Sequence, residues 1–165
     1  MNKLYVVIYS HLGNTGRFAR NQLIPVLRDS ELSTTRDIEE IAIHAVGPHQ
    51  PLQAPASEPA LSRIYEHETE FLLVFPCYGR NNPFTGELED MVPLPVRQFI
   101  ERVEGERLGT ILGGVVCGNR TFGHHFAYAD REFDFPIFGK VELAGSRTDA
   151  QEVVSTMEHP AHSLI

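Results

Sequence analysis

The sequence predicts an α/β domain in which a parallel β-sheet is covered by helices on both faces. Apolar runs of strand length alternate along the chain with amphipathic helical patterns, which is typical of parallel sheets with right-handed crossovers. Three of these runs are followed by loops rich in glycine and polar residues, as expected at the sheet edge where ligands bind. The 165 residues suffice for one domain with a sizeable core, so residues 1–165 are interpreted as a single domain.

Five apolar runs are predicted as strands. They are residues 4–9, 40–46, 71–75, 111–117 and 138–143. The first, third and fourth runs are apolar on both alternating faces, which indicates strands buried on both sides. The polar residues 30–37 are interpreted as a loop that precedes the second strand.

Three longer helices are predicted between and after these strands. The first covers residues 15–31, and Pro25 is expected to kink or end it. The second begins at Pro95, a residue type that favours the first helical turn, and Gly105 is expected to stop it. The last opens with the capping-box pattern of residues 148–151.

The remaining segments are predicted to be connections, short helices and a tail. Four prolines in residues 47–59 indicate an extended surface connection. It is not a domain boundary, because the preceding segment is too short to bury its own core. Short helices are predicted at residues 61–65 and 124–133, and residues 159–165 are expected to form a frayed tail.

Composition excludes several classes of function. The formal net charge of −8 argues against a nucleic-acid partner, because binding a phosphate backbone requires a basic face. No apolar run approaches the roughly 20 residues that span a membrane, and the chain enters its first strand without a signal-peptide pattern. The protein is therefore expected to be cytoplasmic. Two cysteines do not form a disulfide framework, and no metal site is predicted.

The first polar loop, from Ser10 to Gly16, has the composition of a phosphate-binding loop. Backbone N–H groups at a helix start favour an anion, and Ser10, Asn14 and Thr15 add side-chain donors. Gly13 permits positive φ and close approach of a ligand. The loop lacks a lysine and matches neither common nucleotide-loop spacing, which favours a terminal monophosphate held without a cation. The alternative is an ordinary turn capped by Asn14 or Thr15.

The other two loops add flat apolar surfaces at the same sheet edge. Tyr78 follows the third strand and Phe122 follows the fourth. Backbone donors and acceptors come from Gly79, Gly118 and Asn119. A phosphate at one end of a crevice and a planar ring at the other describe flavin mononucleotide (FMN).

The residues of these loops match a known family. Residues 118–123 resemble the GNRNFG loop of the NrdI family, flavodoxin-like proteins associated with class Ib ribonucleotide reductase. Residues 10–15 resemble a flavodoxin phosphate loop, and residues 76–79 are similar to the family's P-S-Y-G. Cys77 and Thr121 depart from the serine and asparagine usual there. Further matches are Arg17-Phe18, residues 96–100 and residues 141–145.

The resemblance implies a flavodoxin-like three-layer sandwich with a five-stranded sheet in the order 2-1-3-4-5, and FMN as cofactor. It also implies that the reduced protein reacts with O2 to make a superoxide-type oxidant. That oxidant would oxidise a dimanganese site in the small (β) subunit of the reductase and generate a tyrosyl radical. A reductase such as a flavodoxin reductase would donate electrons. No side chain is expected to be catalytic, because the flavin carries the chemistry.

The expected cofactor-binding residues come from the three loops. They are Ser10, His11, Leu12, Gly13, Asn14, Thr15, Pro76, Cys77, Tyr78, Gly79, Arg80, Gly118, Asn119, Arg120, Phe122 and Gly123. Arg80 and Arg120 are candidates to stabilise an anionic reduced flavin, although Arg120 could instead brace its loop through a carboxylate. The long loop 80–92 is expected to line the oxygen-facing side of the flavin and the partner surface.

Two questions stay open at the level of sequence. Cys77 and Cys117 end neighbouring predicted strands, so a redox pair is sterically feasible, but two separate thiols are favoured in a reducing cytosol. The function could also be that of a general electron-transfer flavodoxin, or of a flavodoxin-fold binding protein without cofactor. The third loop favours the NrdI interpretation over the former, and three intact loops disfavour the latter.

Overall fold

The described part of the computed structural model contains a five-stranded parallel sheet and a small two-stranded antiparallel sheet. The described residues are 2–10, 13–43, 69–76, 80–81, 83–85, 88–89, 92–118, 134–142 and 144–159. The strands are β1 (Asn2–Tyr9), β2 (Arg36–Ile43), β3 (Thr69–Pro76), β4 (Arg80–Asn81), β5 (Leu88–Glu89), β6 (Thr110–Gly118) and β7 (Ile137–Glu142). The helices are α1 (residues 14–28), α2 (Leu94–Glu106) and α3 (Arg147–Glu158).

The main sheet has the order β2-β1-β3-β6-β7. In the order of its own strands along the chain this is 2-1-3-4-5, which confirms the predicted flavodoxin-like topology. Strand β1 lies inside the sheet, where Ile8 pairs with Ala42 on β2 and with Val74 on β3. Both faces of β1 are covered, as its apolar sequence predicts, because Leu4 through Tyr9 are all buried.

The two faces of the sheet carry separate cores. On one face, residues such as Tyr5 and Phe71 pack with Phe99 of α2. On the other face, residues such as Val6 pack with Phe18 of α1 and with α3. Successive side chains of a strand point to opposite faces, so the unbroken apolar runs feed both cores. Full burial of each large apolar side chain stabilises the fold by about 1.5–3 kcal/mol.

Strand β2 begins earlier than predicted. Its first residues, from Arg36, were expected in a polar loop, and only a 3₁₀ turn at Glu31–Thr34 lies there. Parallel pairing with β1 starts at Asn2 and Arg36, so backbone hydrogen bonding rather than apolar content decides where β2 starts. The predicted end of this strand, residues 44–46, lies outside the described residues.

Helix α1 passes through Pro25 instead of ending there. It consists of an α-helical segment Asn14–Phe18, a π-helical turn Ala19–Leu23 and an α-helical segment Ile24–Arg28. The N–H of Ile24 donates to the carbonyl of Ala19, five residues back. Pro25 has no N–H, and the wider turn before it lets the helix continue.

The ends of the other two helices also differ from prediction. Helix α2 continues past Gly105, and Arg107 takes the left-handed conformation at φ 52°. The reason is Leu108, which is buried beside Val103 and donates its N–H to the Val103 carbonyl at 3.0 Å. The capping box of α3 is formed by Ser146 with Asp149 rather than at residues 148–151.

Several predicted segments lie outside the described residues. They are the connection 47–59, the short helices 61–65 and 124–133, and residues 160–165 of the tail. The predicted long loop 80–92 contains a short hairpin in which Arg80 pairs with Glu89 and Asn81 with Leu88. Among the helices described, none has both the length and the apolar content needed to span a bilayer.

Candidate functional site

The carboxyl ends of three adjacent strands meet at one edge of the sheet. β1 leads into Ser10, β3 ends at Pro76 and β6 ends at Gly118. Val74 on β3 pairs with Ile8 on β1 and Val115 on β6, so the three strands end at similar heights. The three loops predicted to bind a cofactor therefore start from the same edge, at the point where the strand order reverses.

Ser10 organises the first loop. Its hydroxyl oxygen accepts hydrogen bonds from the N–H groups of Gly13 and Gly16, each at 3.1 Å. The chain thus wraps around the serine before entering α1. A hydroxyl has one proton of its own to donate, and these two bonds leave that proton available to an acceptor in the loop.

Gly13 is needed at the start of α1 for its backbone conformation. Its φ is 94°, a left-handed value that favours glycine, and its carbonyl accepts from the N–H of Arg17 at 3.0 Å. A Cβ at this position would also lie 3.2 Å from Nη2 of Arg17. The first N–H groups of a helix have no intrahelical acceptor, which makes those of Asn14 and Thr15 candidates to bind an anion.

The side chain of Thr15 points into the protein instead of towards the loop. Thr15 is 2% exposed, and its side chain forms a hydrogen bond with Cys117 at the end of β6. Its contribution to an anion would therefore be its backbone N–H. Sequence reasoning included Thr15 for its hydroxyl, because burial of that group cannot be deduced from the loop composition.

Cys117 is a free, buried thiol. Burial raises the pKa of this thiol to about 12, against the hydrogen bond from Thr15, which lowers it, while the charge of Asp149 raises it further. The thiol is therefore protonated at neutral pH and is a poor nucleophile. Cys77, the other half of the pair considered from the sequence, lies outside the described residues.

A cavity of about 410 Å³ opens at the first loop. It is lined by Ser10, Gly13, Gly16, Arg17, Arg20 and Asn21. Two arginines of α1 line this cavity, which the expectation of a monophosphate held without a cation did not include. Side chains on a helix lean towards its N-terminus, so arginines three residues apart can return to the loop that precedes them. The Arg17/Arg20 spacing was the available sequence signal.

The two arginines differ in their partners. Arg17 Nη1 donates to Oδ1 of Asn14 at 2.9 Å, so the acceptor is an uncharged amide. Arg20 Nε donates to the Glu40 carboxylate on β2 at 2.5 Å and forms an ion pair with it. Within the described part of the chain, Arg17 has no carboxylate partner. The loop therefore combines N–H groups, a hydroxyl and a guanidinium, a donor set that fits a phosphate group.

The part of the site predicted to hold a ring is not covered by the described residues. His11 and Leu12 of the first loop lie outside the described residues, and so do the predicted ring-site residues that follow Pro76 and Gly118. They are Cys77, Tyr78, Gly79, Asn119, Arg120, Phe122 and Gly123, together with the side chain of Arg80. In the turn of the β4–β5 hairpin, Phe84 is 95% exposed.

The amino-acid sequence matches a known protein family and several of its members. The sequence profile of the family described as "NrdI Flavodoxin like" matches residues 6–155. "Protein NrdI" of Ruegeria sp. (strain TM1040) is 31% identical over 122 residues, covering 71% of this chain and 74% of that protein. "Protein NrdI" of Rhodococcus opacus (strain B4) is 28% identical over 116 residues, covering 66% and 75%.

A solved structure supports the fold independently. A short-chain flavodoxin associated with a bacterial microcompartment aligns over 100% of both chains with a TM-score of 0.59 and 15% sequence identity. At this identity the likeness concerns the fold alone.

Proposed function

Because the chain belongs to the NrdI flavodoxin-like family, we propose that it binds FMN and serves a class Ib ribonucleotide reductase. The family implies a flavin cofactor and is linked to ribonucleotide reductase. In the proposed reaction, the reduced protein supplies a superoxide-type oxidant made from O2. The reductase small subunit uses this oxidant to assemble its dimanganese-tyrosyl radical cofactor.

The observation that carries the proposal is the first-loop cavity at the reversal of strand order. Ser10, the N–H groups of Asn14 and Thr15, and Arg17 form a donor set suited to a terminal phosphate. Riboflavin and its phosphate differ in that one group. The phosphate loop therefore supports FMN as the particular flavin.

The flavin, when bound, would supply electron transfer to O2, and the protein would supply binding, tuning and access. We assign Tyr78 to cover the ring, with the third loop, residues 118–123, on the other side of the site. Arg80 and Arg120 would stabilise negative charge on a reduced cofactor. The manganese belongs to the partner, and a flavodoxin reductase or similar cytoplasmic reductase would supply electrons.

The test combines a spectrum with a reconstitution. Purified protein, or protein mixed with FMN, is expected to show the yellow flavin absorption. The reduced protein is then mixed with O2 and the manganese-loaded small subunit, and the tyrosyl radical is measured by electron paramagnetic resonance. Omitting this protein, O2 or manganese provides the controls, and each omission is expected to abolish the radical signal.

Two results would contradict the proposal in different ways. A protein that binds FMN but yields no radical would be a general electron-transfer flavodoxin. A protein that takes up no flavin would be a flavodoxin-fold binding protein without cofactor.

A further inference from the structure

We propose that Arg17 supplies the positive charge by which this chain selects a phosphorylated flavin, and that Glu40 withholds the neighbouring Arg20 from the same task. The inference rests on the proposed binding of FMN and assigns its phosphate specificity to particular residues of this chain. The cation in question, Arg17, follows the loop in sequence and is not one of residues 10–16.

The position of Arg17 is set by two contacts with the loop. Nη1 donates to Asn14 Oδ1 at 2.9 Å, and Nη2 lies 3.2 Å from the point where a Cβ on Gly13 would stand. The guanidinium therefore lies against the loop at Gly13 and Asn14. A guanidinium has five N–H donors, so the bond to Asn14 orients it and leaves donors for a ligand in the cavity.

The two arginines differ in whether a described carboxylate compensates their charge. In the described residues no carboxylate lies within ion-pair distance of Arg17. Arg20 lines the same cavity, but its Nε is 2.5 Å from Oε1 of Glu40. Glu40 is held in β2, which pairs with β1 along its length, so the strand fixes where this carboxylate stands.

This difference creates selectivity for the phosphate. A phosphomonoester carries a charge of about −1.5 to −2 at pH 7, whereas the ribityl chain and oxidised ring of riboflavin are uncharged. Arg17 can therefore favour FMN without affecting riboflavin. A hydrogen bond between charged groups corresponds to about tenfold to hundredfold in affinity.

The experiment is a titration of flavin-stripped, full-length protein with FMN and with riboflavin, followed by quenching of flavin fluorescence. We expect Arg17→Met to weaken FMN binding about tenfold to hundredfold and to leave riboflavin affinity unchanged. Arg17→Lys should retain most of the preference because it keeps the charge. Since Arg17 is exposed, circular dichroism is expected to show an unchanged fold.

Arg20→Met is the matched control, and Glu40→Gln tests the withheld charge. Arg20→Met should weaken FMN binding by no more than about threefold, because its charge is already paired. Glu40→Gln should tighten FMN binding by releasing Arg20.

Each contrary result has a distinct meaning. Equal loss of FMN and riboflavin affinity in Arg17→Met would show a purely structural role and overturn the inference. Equal losses in the two arginine variants, or no gain in Glu40→Gln, would overturn the division between Arg17 and Arg20. Failure of the unaltered protein to bind either flavin would overturn the proposed function, and this inference with it.

Discussion

Thr15 connects two of the three loops from inside the protein. Its N–H belongs to the start of α1, while its side chain reaches Cys117, the residue before Gly118 at the end of β6. The hydroxyl and the thiol belong to buried residues, and the hydrogen bond between them gives each group a partner. The contact links the start of α1 to the strand that leads into the third loop.

Replacing Thr15 with valine tests this connection. The change keeps the side-chain shape but leaves the buried thiol without its partner, so we expect a loss of about 1 kcal/mol in the free energy of unfolding. Urea denaturation measures it. In a Cys117→Ala background the same replacement should cost much less, because the partner is already absent. An equal cost in both backgrounds would show that Thr15 does not act through Cys117.

At the scale of whole elements, the start of α3 depends on a serine that lies before the helix. Ser146 Oγ accepts from the N–H of Asp149 at 3.2 Å, and Oδ2 of Asp149 accepts from the N–H of Ser146 at 2.8 Å. We expect Ser146→Ala to lower the free energy of unfolding by about 1 kcal/mol. Thr148→Ala, at the position where the sequence pattern places the cap, should change it by less than about 0.5 kcal/mol. Chemical denaturation of both variants measures the free energy of unfolding. A larger loss in Thr148→Ala than in Ser146→Ala would contradict Ser146 as the cap of α3.

Two glycines with opposite requirements provide a second test at this scale. Gly105 lies in α2 with nothing within 4 Å of an added Cβ. Gly145 has φ 61°, and a Cβ there would lie 2.5 Å from atoms of Phe18 and Val141. Gly105→Ala should stabilise the protein by about 0.5–1 kcal/mol, since alanine favours the helix. Gly145→Ala should destabilise it by more than about 1 kcal/mol. Thermal unfolding would reveal both shifts, and shifts of the same sign would refute this account.

For the whole molecule, the buried thiol makes stability depend on alkaline pH. The pKa of Cys117 is about 12 in the folded protein, above its ordinary value of 9.0. Below pH 9 both states hold the proton and the contribution to stability is complete. As the pH rises from 9 towards 12, the unfolded thiol ionises first and the contribution is lost. The unaltered protein should therefore lose its advantage over Cys117→Ala in urea titrations as the pH rises above 9. A constant difference would show that the thiol is not protected.

Sequence reasoning succeeded where burial on both faces leaves an unbroken apolar run. It predicted the five strands from their apolar runs, and the family resemblance implied their order. It failed where a distant contact decides. Pairing with β1 extends β2 to Arg36, and burial of Leu108 moves the end of α2 past Gly105.

The same reasoning covered part of the candidate site. It singled out the loop around Ser10 from its composition, because small and polar residues between a strand and a helix offer hydrogen-bond donors to an anion. It missed Arg17 as a ligand candidate, since that residue follows the loop in sequence and returns to it only in space. The roles of Tyr78 and residues 118–123 stay predictions.

The early start of β2 also bears on how the molecule avoids joining its own copies. Among the described strands, β2 lies at the edge of the sheet, where outer backbone groups can serve as a template for another chain. Arg36, Asp37, Glu39 and Glu40 stand along this edge, interrupted by the buried Ile38. Pairing with another strand would desolvate these charged side chains, which is unfavourable. The strand that carries Glu40 therefore also resists aggregation.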